Sequence, residues 1–225
     1  MIGIFDSGVG GLTAYKEVRR LAPSADIVYL ADRKNAPYGT KGRDELIELV
    51  KTDVKILRSL GASDILIACC TASTVYPFLD RETRRRTIPI IEPAVESVYG
   101  LKRVTVIATE HTVSCRAFGN SIRDKHLGTS VLEIPAQPLV SMVEDGSRDG
   151  NLSDLCREYL KDIASRVRAF KSDGLILGCT HFSHLENTLG EQLPEVKIIS
   201  PAKEGAKKLV RCCNCLSGYG KNIYV

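Results

Sequence analysis

Two cysteines stand where they could do chemistry. Cys69 lies in Ile65–Ser73, read Ile-Leu-Ile-Ala-Cys-Cys-Thr-Ala-Ser, and Cys179 lies in Leu175–Ser183, read Leu-Ile-Leu-Gly-Cys-Thr-His-Phe-Ser. Each is an apolar run, a small residue, a thiol, then hydroxyl residues able to cap a helix. Short apolar runs bounded this way fit buried parallel strands, and Ser or Thr just after them fit helix N-caps. Each thiol is therefore expected where a strand ends and a helix begins. Open α/β sheets bind ligands at such ends. Backbone N–H groups there can lower a thiol pKa and hold a carboxylate.

Two such thiols facing one carbon can exchange its proton. A thiolate removes the hydrogen and a thiol on the far side donates another, so the centre inverts. This needs one thiol and one thiolate at rest, hence a lowered pKa on one side. Asp6 ends the apolar run Ile2–Phe5 and precedes Ser7-Gly8-Val9-Gly10-Gly11. It is either an acid/base partner for Cys69 or a cap for the next helix. His181, two residues after Cys179, is either that thiol's partner or a capping and packing residue. The glycine spacing after Asp6 matches neither a dinucleotide fingerprint nor a phosphate loop.

The elements that must position these groups alternate along the chain. Strands are expected at Ile2–Phe5, Asp26–Ala31, Ile65–Ala68, Ile88–Ile91, Val104–Ala108, Val131–Ile134, Leu175–Leu177 and Val196–Ile199. Helices are expected from after Thr13 to about Leu21, over Arg43–Leu60, after Cys69 to about Phe78 with a break at Pro77, and after Thr112 to about Asp124. Further helices are expected over Pro138–Glu144 ending at Gly146, Asp154–Phe170, His181–Leu189 and Ala202–Val210. Glu92-Pro93-Ala94 reads as a hinge. Ala36-Pro37-Tyr38-Gly39 reads as a tight turn, able to cover a ligand or lie plainly on the surface. The elements repeat: Ile2–Phe5 with Asp6 corresponds to Val104–Ala108 with Thr109, and the Cys69 strand to the Cys179 strand. The expected fold class is α/β, two similar domains with parallel-type sheets and an active site in the cleft between them.

Composition excludes several classes. The chain has 225 residues, 44% of them hydrophobic, which is enough for a core in one large or two small domains. No run approaches the roughly 18 apolar residues of a membrane span, so no membrane association is expected. A net charge of +4, from 31 basic and 27 acidic residues, is too mild to argue for nucleic acid. The basic stretch Arg81–Arg86 reads as a solvated helix end rather than an anion site. Eight cysteines with no visible export signal fit thiols in a reducing, cytoplasmic setting. Cys212, Cys213 and Cys215 cluster, but no spaced second pair follows, so no metal is expected. No motif marks a Schiff-base lysine.

Taken together, Ile-Gly-Ile-Phe-Asp-Ser-Gly-Val-Gly-Gly-Leu-Thr, Ala-Asp-x-x-x-x-Pro-Tyr-Gly, Ala-Cys-x-Thr-Ala-Ser, Glu-Pro-Ala-Val, Ala-Thr-x-x-Thr and Gly-Cys-Thr-His-Phe resemble glutamate racemase. The motifs run in that family's order over nearly the whole chain. The resemblance implies a cofactor-independent racemase of the bacterial cytoplasm that makes D-glutamate from L-glutamate for peptidoglycan, usually as a homodimer. It implies pseudo-twofold symmetry, with residues 1–93 plus about 200–225 in the first lobe and 94–199 in the second. It implies that Cys69 and Cys179 are the acid/base pair, tuned by Asp6 and His181 and assisted by Glu144. It further implies that Ser7, Pro37, Tyr38, Gly39, Cys70, Thr71, Thr112 and Thr180 form the substrate site. Two positions depart from the family pattern: Cys70 replaces an Asn, and Ala136-Gln137-Pro138 replaces Ala-Cys-Pro. The first departure touches a substrate position and opens a related reading, a racemase for aspartate or another acid. A racemase-fold binding protein is the other alternative, against which the two thiols, Asp6 and His181 all speak.

Overall fold

Every strand pair in the computed structural model of the chain is parallel, and the two central strands of each sheet are buried, mostly apolar runs that lead to Asp6, Cys69, Thr109 and Cys179. The structure describes residues 1–149, 152–213 and 216–225. It divides into two units, Met1–Pro93 with Ala202–Val225, and Ala94–Pro201.

The first unit runs β1 (Ile2–Asp6), α1 (Leu12–Leu21), β2 (Ile27–Ala31), a 3-10 turn (Tyr38–Thr40), α2 (Arg43–Ser59), β3 (Asp64–Ile67), α3 (Cys70–Ser73), a second 3-10 turn (Tyr76–Phe78), α4 (Arg81–Arg84) and β4 (Thr87–Pro89). Its sheet has the order β4-β3-β1-β2-β9, where β9 is Asn222–Tyr224. β1 is fully buried and pairs with β2 and β3 on its two sides. Helix α2 forms because Leu46, Val50, Val54 and Leu57 recur on one face, which packs on Phe5, Val28 and Ile65. Gly61, at φ +92°, ends it in a conformation that favours glycine.

The second unit follows α5 (Ile91–Glu96), the helix in which the division falls. It runs β5 (Arg103–Ala108), α6 (Glu110–Ser114), α7 (Ala117–Lys125), β6 (Ser130–Pro135), α8 (Pro138–Asp149), α9 (Asp154–Ala169), β7 (Gly174–Gly178), a 3-10 helix (Thr180–Leu185), α10 (Glu186–Gln192) and β8 (Lys197–Ile199). α11 (Pro201–Cys212) leads back into the first unit. The second sheet has the order β6-β5-β7-β8. Matched strand for strand, β1 takes the place of β5, β2 of β6, β3 of β7 and β4 of β8. The repeat read from the sequence is thus a repeat of topology. A core of Leu160, Ile163, Val167, Leu175, Leu177 and Phe182 fills one side of that sheet.

Several local expectations are corrected. Glu92-Pro93-Ala94 is helical within α5 rather than a hinge, because Pro near a helix start gives up only an N–H that has no partner there. α8 continues through Gly146 to Asp149, since an isolated glycine weakens a helix by only about 1 kcal/mol without stopping it. The helix after Cys69 ends at Ser73, before Pro77, and its last turn is rebuilt as the 3-10 segment Tyr76–Phe78. The helix after Thr112 is split by Arg116 in the left-handed region at φ +50°. The segment after Cys179 starts as 3-10 and becomes α-helical only at Glu186. The fourth strand stops at Pro89. β9 is a strand that periodicity does not show.

The basic stretch is accounted for within the fold. Arg86 makes a two-pronged pair with Asp64, Nε to Oδ1 at 2.8 Å and Nη2 to Oδ2 at 2.7 Å. Cys213 is buried with its thiol 3.4 Å from the same carboxylate, and Cys212 is exposed. Cys215 lies outside the described residues. Among the described residues no group of three metal-binding side chains converges, and no helix is long and apolar enough to cross a membrane.

Candidate active site

Register decides what lies beside each thiol. In the first unit Phe5 is level with Ile67, so continuing both strands sets Ser7 level with Cys69. Ser7 Oγ lies 3.5 Å from Cys69 Sγ. Cys69 is itself the N-cap of α3, in extended conformation, and its sulfur accepts from the Ala72 N–H at 3.4 Å. The cap is thus the thiol, not the Thr or Ser that follows. Asp6 is 1% exposed, and its Oδ2 accepts from the Gly8 N–H at 3.0 Å. The loop folds tightly over Asp6: a Cβ on Gly11 would sit 2.5 Å from the Asp6 Cβ. Tyr29 holds this loop from β2, donating to the Gly8 carbonyl at 3.0 Å.

These surroundings do not lower the Cys69 pKa. Burial pushes it up, the Asp6 charge adds to that, and the contacts from Ala72 and Ser7 only partly oppose them, leaving it at about 11. At neutral pH only about one molecule in 10⁴ would then carry the thiolate. A helix of four residues supplies little dipole against desolvation. These surroundings favour the protonated thiol at Cys69, so the helix start at this strand end does not supply a lowered pKa.

In the second unit Ala108 is level with Gly178, which sets Thr109 level with Cys179. Gly178 must be small: a Cβ there would come within 2.9 Å of the Ala108 Cβ and of the Ile107 carbonyl oxygen. Cys179 is buried, at 8% exposure, and its Sγ lies 3.7 Å from His181 Nδ1. The other imidazole nitrogen, Nε2, lies 2.9 Å from Glu144 Oε1, because α8 packs on the 3-10 helix that carries His181. Thiol, imidazole and carboxylate thus lie in a row, with the imidazole between the Cys179 sulfur and Glu144. Thr109 caps α6, accepting from the Thr112 N–H at 3.3 Å, and the two hydroxyls are 2.9 Å apart.

The residues expected to hold substrate fall into two local groups. Ser7, Cys70 and Thr71 gather around Cys69 in the first unit, and Cys70 and Thr71 are buried in the first turn of α3. The Pro37–Tyr38–Gly39 turn contributes an exposed Pro37, but the Tyr38 side chain is driven inward to 1% exposure. Thr112 and Thr180 are buried in the second unit, where Thr180 follows Cys179 directly. Sequence reasoning missed Tyr29 and Asp53. Asp53 had a signal: it sits on the apolar face of α2 between Val50 and Val54, where an acid is rarely buried without a partner.

The fold has known counterparts. The family model for Asp/Glu/Hydantoin racemase matches residues 11–209. The chain belongs to that family. Among curated relatives, the glutamate racemase of Persephonella marina is 37% identical over 98% of this chain and 85% of its own length. Among solved structures, a glutamate racemase isoform from Bacillus anthracis superposes with a TM-score of 0.88 at 27% identity, covering 100% of this chain and 86% of its own. The glutamate racemase from Francisella tularensis, solved with D-glutamate, gives 0.86 at 32% identity, covering 99% and 85%.

Proposed function

We propose that this chain is a cofactor-independent glutamate racemase, interconverting L- and D-glutamate by a two-base proton transfer between Cys69 and Cys179. The observation that carries this reading is the strand–Cys–helix arrangement that occurs once in each of two topologically equivalent sheets, in a chain 37% identical to a glutamate racemase. In one direction the Cys179 thiolate removes the Cα proton. The electron pair left on Cα is delocalised into the α-carboxylate, and the Cys69 thiol delivers a proton to the opposite face. The thiol and thiolate end exchanged, ready for the reverse reaction, and nothing else is consumed.

The resting bias follows from the surroundings of each thiol. Burial and the Asp6 charge keep Cys69 protonated, so it starts as the acid. His181 lies beside Cys179 with Glu144 on its far side, and we assign Cys179 the part of the base on that placement. Ser7, Pro37, Tyr38, Gly39, Cys70 and Thr71 on one side, with Thr112 and Thr180 on the other, hold the substrate's carboxylates and ammonium group. The enzyme works as a homodimer in the cytoplasm, and its D-glutamate goes to peptidoglycan.

One observation favours a second reading. Cys70 offers a weakly bonding thiol where an amide would donate and accept, which suits a related acid such as aspartate as well as glutamate. The deciding experiment is circular dichroism of L-glutamate, and separately of L-aspartate, with purified protein and no added cofactor. Loss of the glutamate signal to zero ellipticity is expected. Loss of the aspartate signal alone would move the substrate, and loss of neither would end the racemase reading.

A further inference from the structure

The Tyr38 hydroxyl sits between two carboxylates, 2.6 Å from Asp32 Oδ2 and 2.8 Å from Asp53 Oδ2. A phenol has one proton to donate. Two ionised carboxylates cannot both accept it, so one of these short contacts needs a proton from a carboxylic acid. Asp32 already accepts from the Asn35 side-chain amide at both oxygens, at 3.0 and 2.9 Å, and is only partly buried. That environment suits the ionised form. Asp53 is 3% exposed and lies on the apolar face of α2 among Leu46, Val50, Val54 and Leu57. That environment suits the neutral acid.

We propose that Asp53 is a positioning residue for racemisation: as a carboxylic acid it donates to the Tyr38 hydroxyl, Tyr38 donates to Asp32, and this chain of bonds holds the Pro37–Tyr38–Gly39 turn in its substrate-binding shape. The proposal rests on the assignment of that turn to the substrate site. Tyr38 is the only one of the three turn residues whose side chain enters the core, where it packs with Leu46, Val50 and Val54. The phenol adds a core anchor to a turn whose own bonds run from the Lys41 N–H to the Tyr38 carbonyl and from the Thr40 hydroxyl to the Pro37 carbonyl.

The electrostatics agree with the geometry. Burial pushes the Asp53 carboxyl up to about 7, the charge of Asp32 pushes the same way, and the Tyr38 bond opposes them. Those two groups are the titratable neighbours acting on it, and no cation is among them. As pH rises through that value Asp53 ionises. Tyr38 then faces two anions with one proton, one contact is lost, and the turn loosens. The same ionisation has a stability consequence. Folding raises the Asp53 pKa, so the folded chain holds a proton that the unfolded chain releases. Stability therefore falls as pH climbs from the ordinary carboxylate range to about 7.

Three forms of the full chain separate the outcomes: wild type, Asp53→Asn, which donates the same bond without titrating, and Asp53→Leu, which cannot donate. In the wild type KM for glutamate should rise about tenfold between about pH 5.5 and about pH 8.5, the scale of one lost hydrogen bond to a charged group. Asp53→Asn should keep the low-pH KM throughout. Asp53→Leu should show the raised KM at every pH, with kcat changed less than KM. The melting temperature supplies a readout independent of turnover: its fall with rising pH below about 7 should be present in wild type and weakened in Asp53→Asn. If Asp53→Asn kept both wild-type profiles, Asp53 would not be the donor and the proposal would be overturned. A flattened melting profile with an unchanged KM profile would leave the bond real and remove its positioning role. If wild type turned over neither glutamate nor aspartate, the functional reading would fail and take the positioning role with it. The melting curves would still show that failure to be separate from the Asp53–Tyr38 bond.

Discussion

The two thiols occupy equivalent places in the two sheets and have unlike neighbours. Around Cys69 are a hydroxyl, a backbone N–H and an anion, Asp6, whose charge opposes ionisation. Around Cys179 is an imidazole backed by Glu144. The helix start differs too: Cys69 caps a short α-helix with its own sulfur, whereas Cys179 precedes a 3-10 helix and caps nothing with its side chain. A duplicated scaffold thus gives its two thiols unlike surroundings. A two-base exchange needs one thiol and one thiolate, and unlike surroundings favour one sulfur over the other as the holder of the proton.

The largest break in that comparison removes a thiol. Cys69→Ala and Cys179→Ala should each lower racemisation by about 10³-fold or more, read by polarimetry or circular dichroism. Appreciable racemisation by either variant would end the two-base scheme. Cys→Ser variants sharpen the test with a substrate carrying a β leaving group: each should eliminate from one enantiomer, and the two should prefer opposite hands.

Removing the neighbours should cost less and expose the asymmetry. His181→Asn and Asp6→Asn should each lower kcat by about 10- to 100-fold. The equilibrium constant between enantiomers is one, so kcat/KM must remain equal in the two directions. The asymmetry therefore belongs in kcat and KM taken separately, and in the isotope effect with Cα-deuterated L- and D-substrates. His181→Asn should enlarge the isotope effect for one hand and Asp6→Asn for the other. Equal effects on both hands would make these residues structural supports.

A smaller change is expected at Cys70. Restoring an amide with Cys70→Asn should raise kcat/KM for glutamate by about tenfold, the scale of one hydrogen bond to a charged group. No gain, combined with good native turnover of aspartate, would reassign the substrate.

The smallest effect concerns the resting state of Cys69. Removing the Asp6 charge should lower the Cys69 pKa, since an adjacent anion is one of the causes holding it up. Alkylation of Cys69 by iodoacetamide at mildly alkaline pH should be a few-fold faster in Asp6→Asn than in wild type, measured in a Cys179→Ala background by mass spectrometry. An unchanged or slower rate would mean that Asp6 does not set the bias at this thiol.

The sequence by itself determined the alternation of strands and helices, the correspondence of the Cys69 and Cys179 strands, and the residues at their C-terminal ends. These follow from local rules: buried parallel strands are short apolar runs, and polar residues mark where they stop. Pro93 and Gly146 misled, because the cost of a proline depends on its position in the helix and one glycine is too weak a breaker to act alone, whereas the break expected at Pro77 is present, with the helix already over at Ser73. β9 was invisible because three residues, Asn222–Tyr224, carry no period, and only pairing with β2 makes them a strand. Tertiary structure alone decided what surrounds each thiol. Whether Asp6 activates or restrains Cys69 depends on how much water reaches the sulfur, and whether Asp53 is an acid or an anion depends on Tyr38 and Asp32 arriving from another part of the chain. Desolvation and the distance between charges are properties of packing, and residue order does not encode them locally.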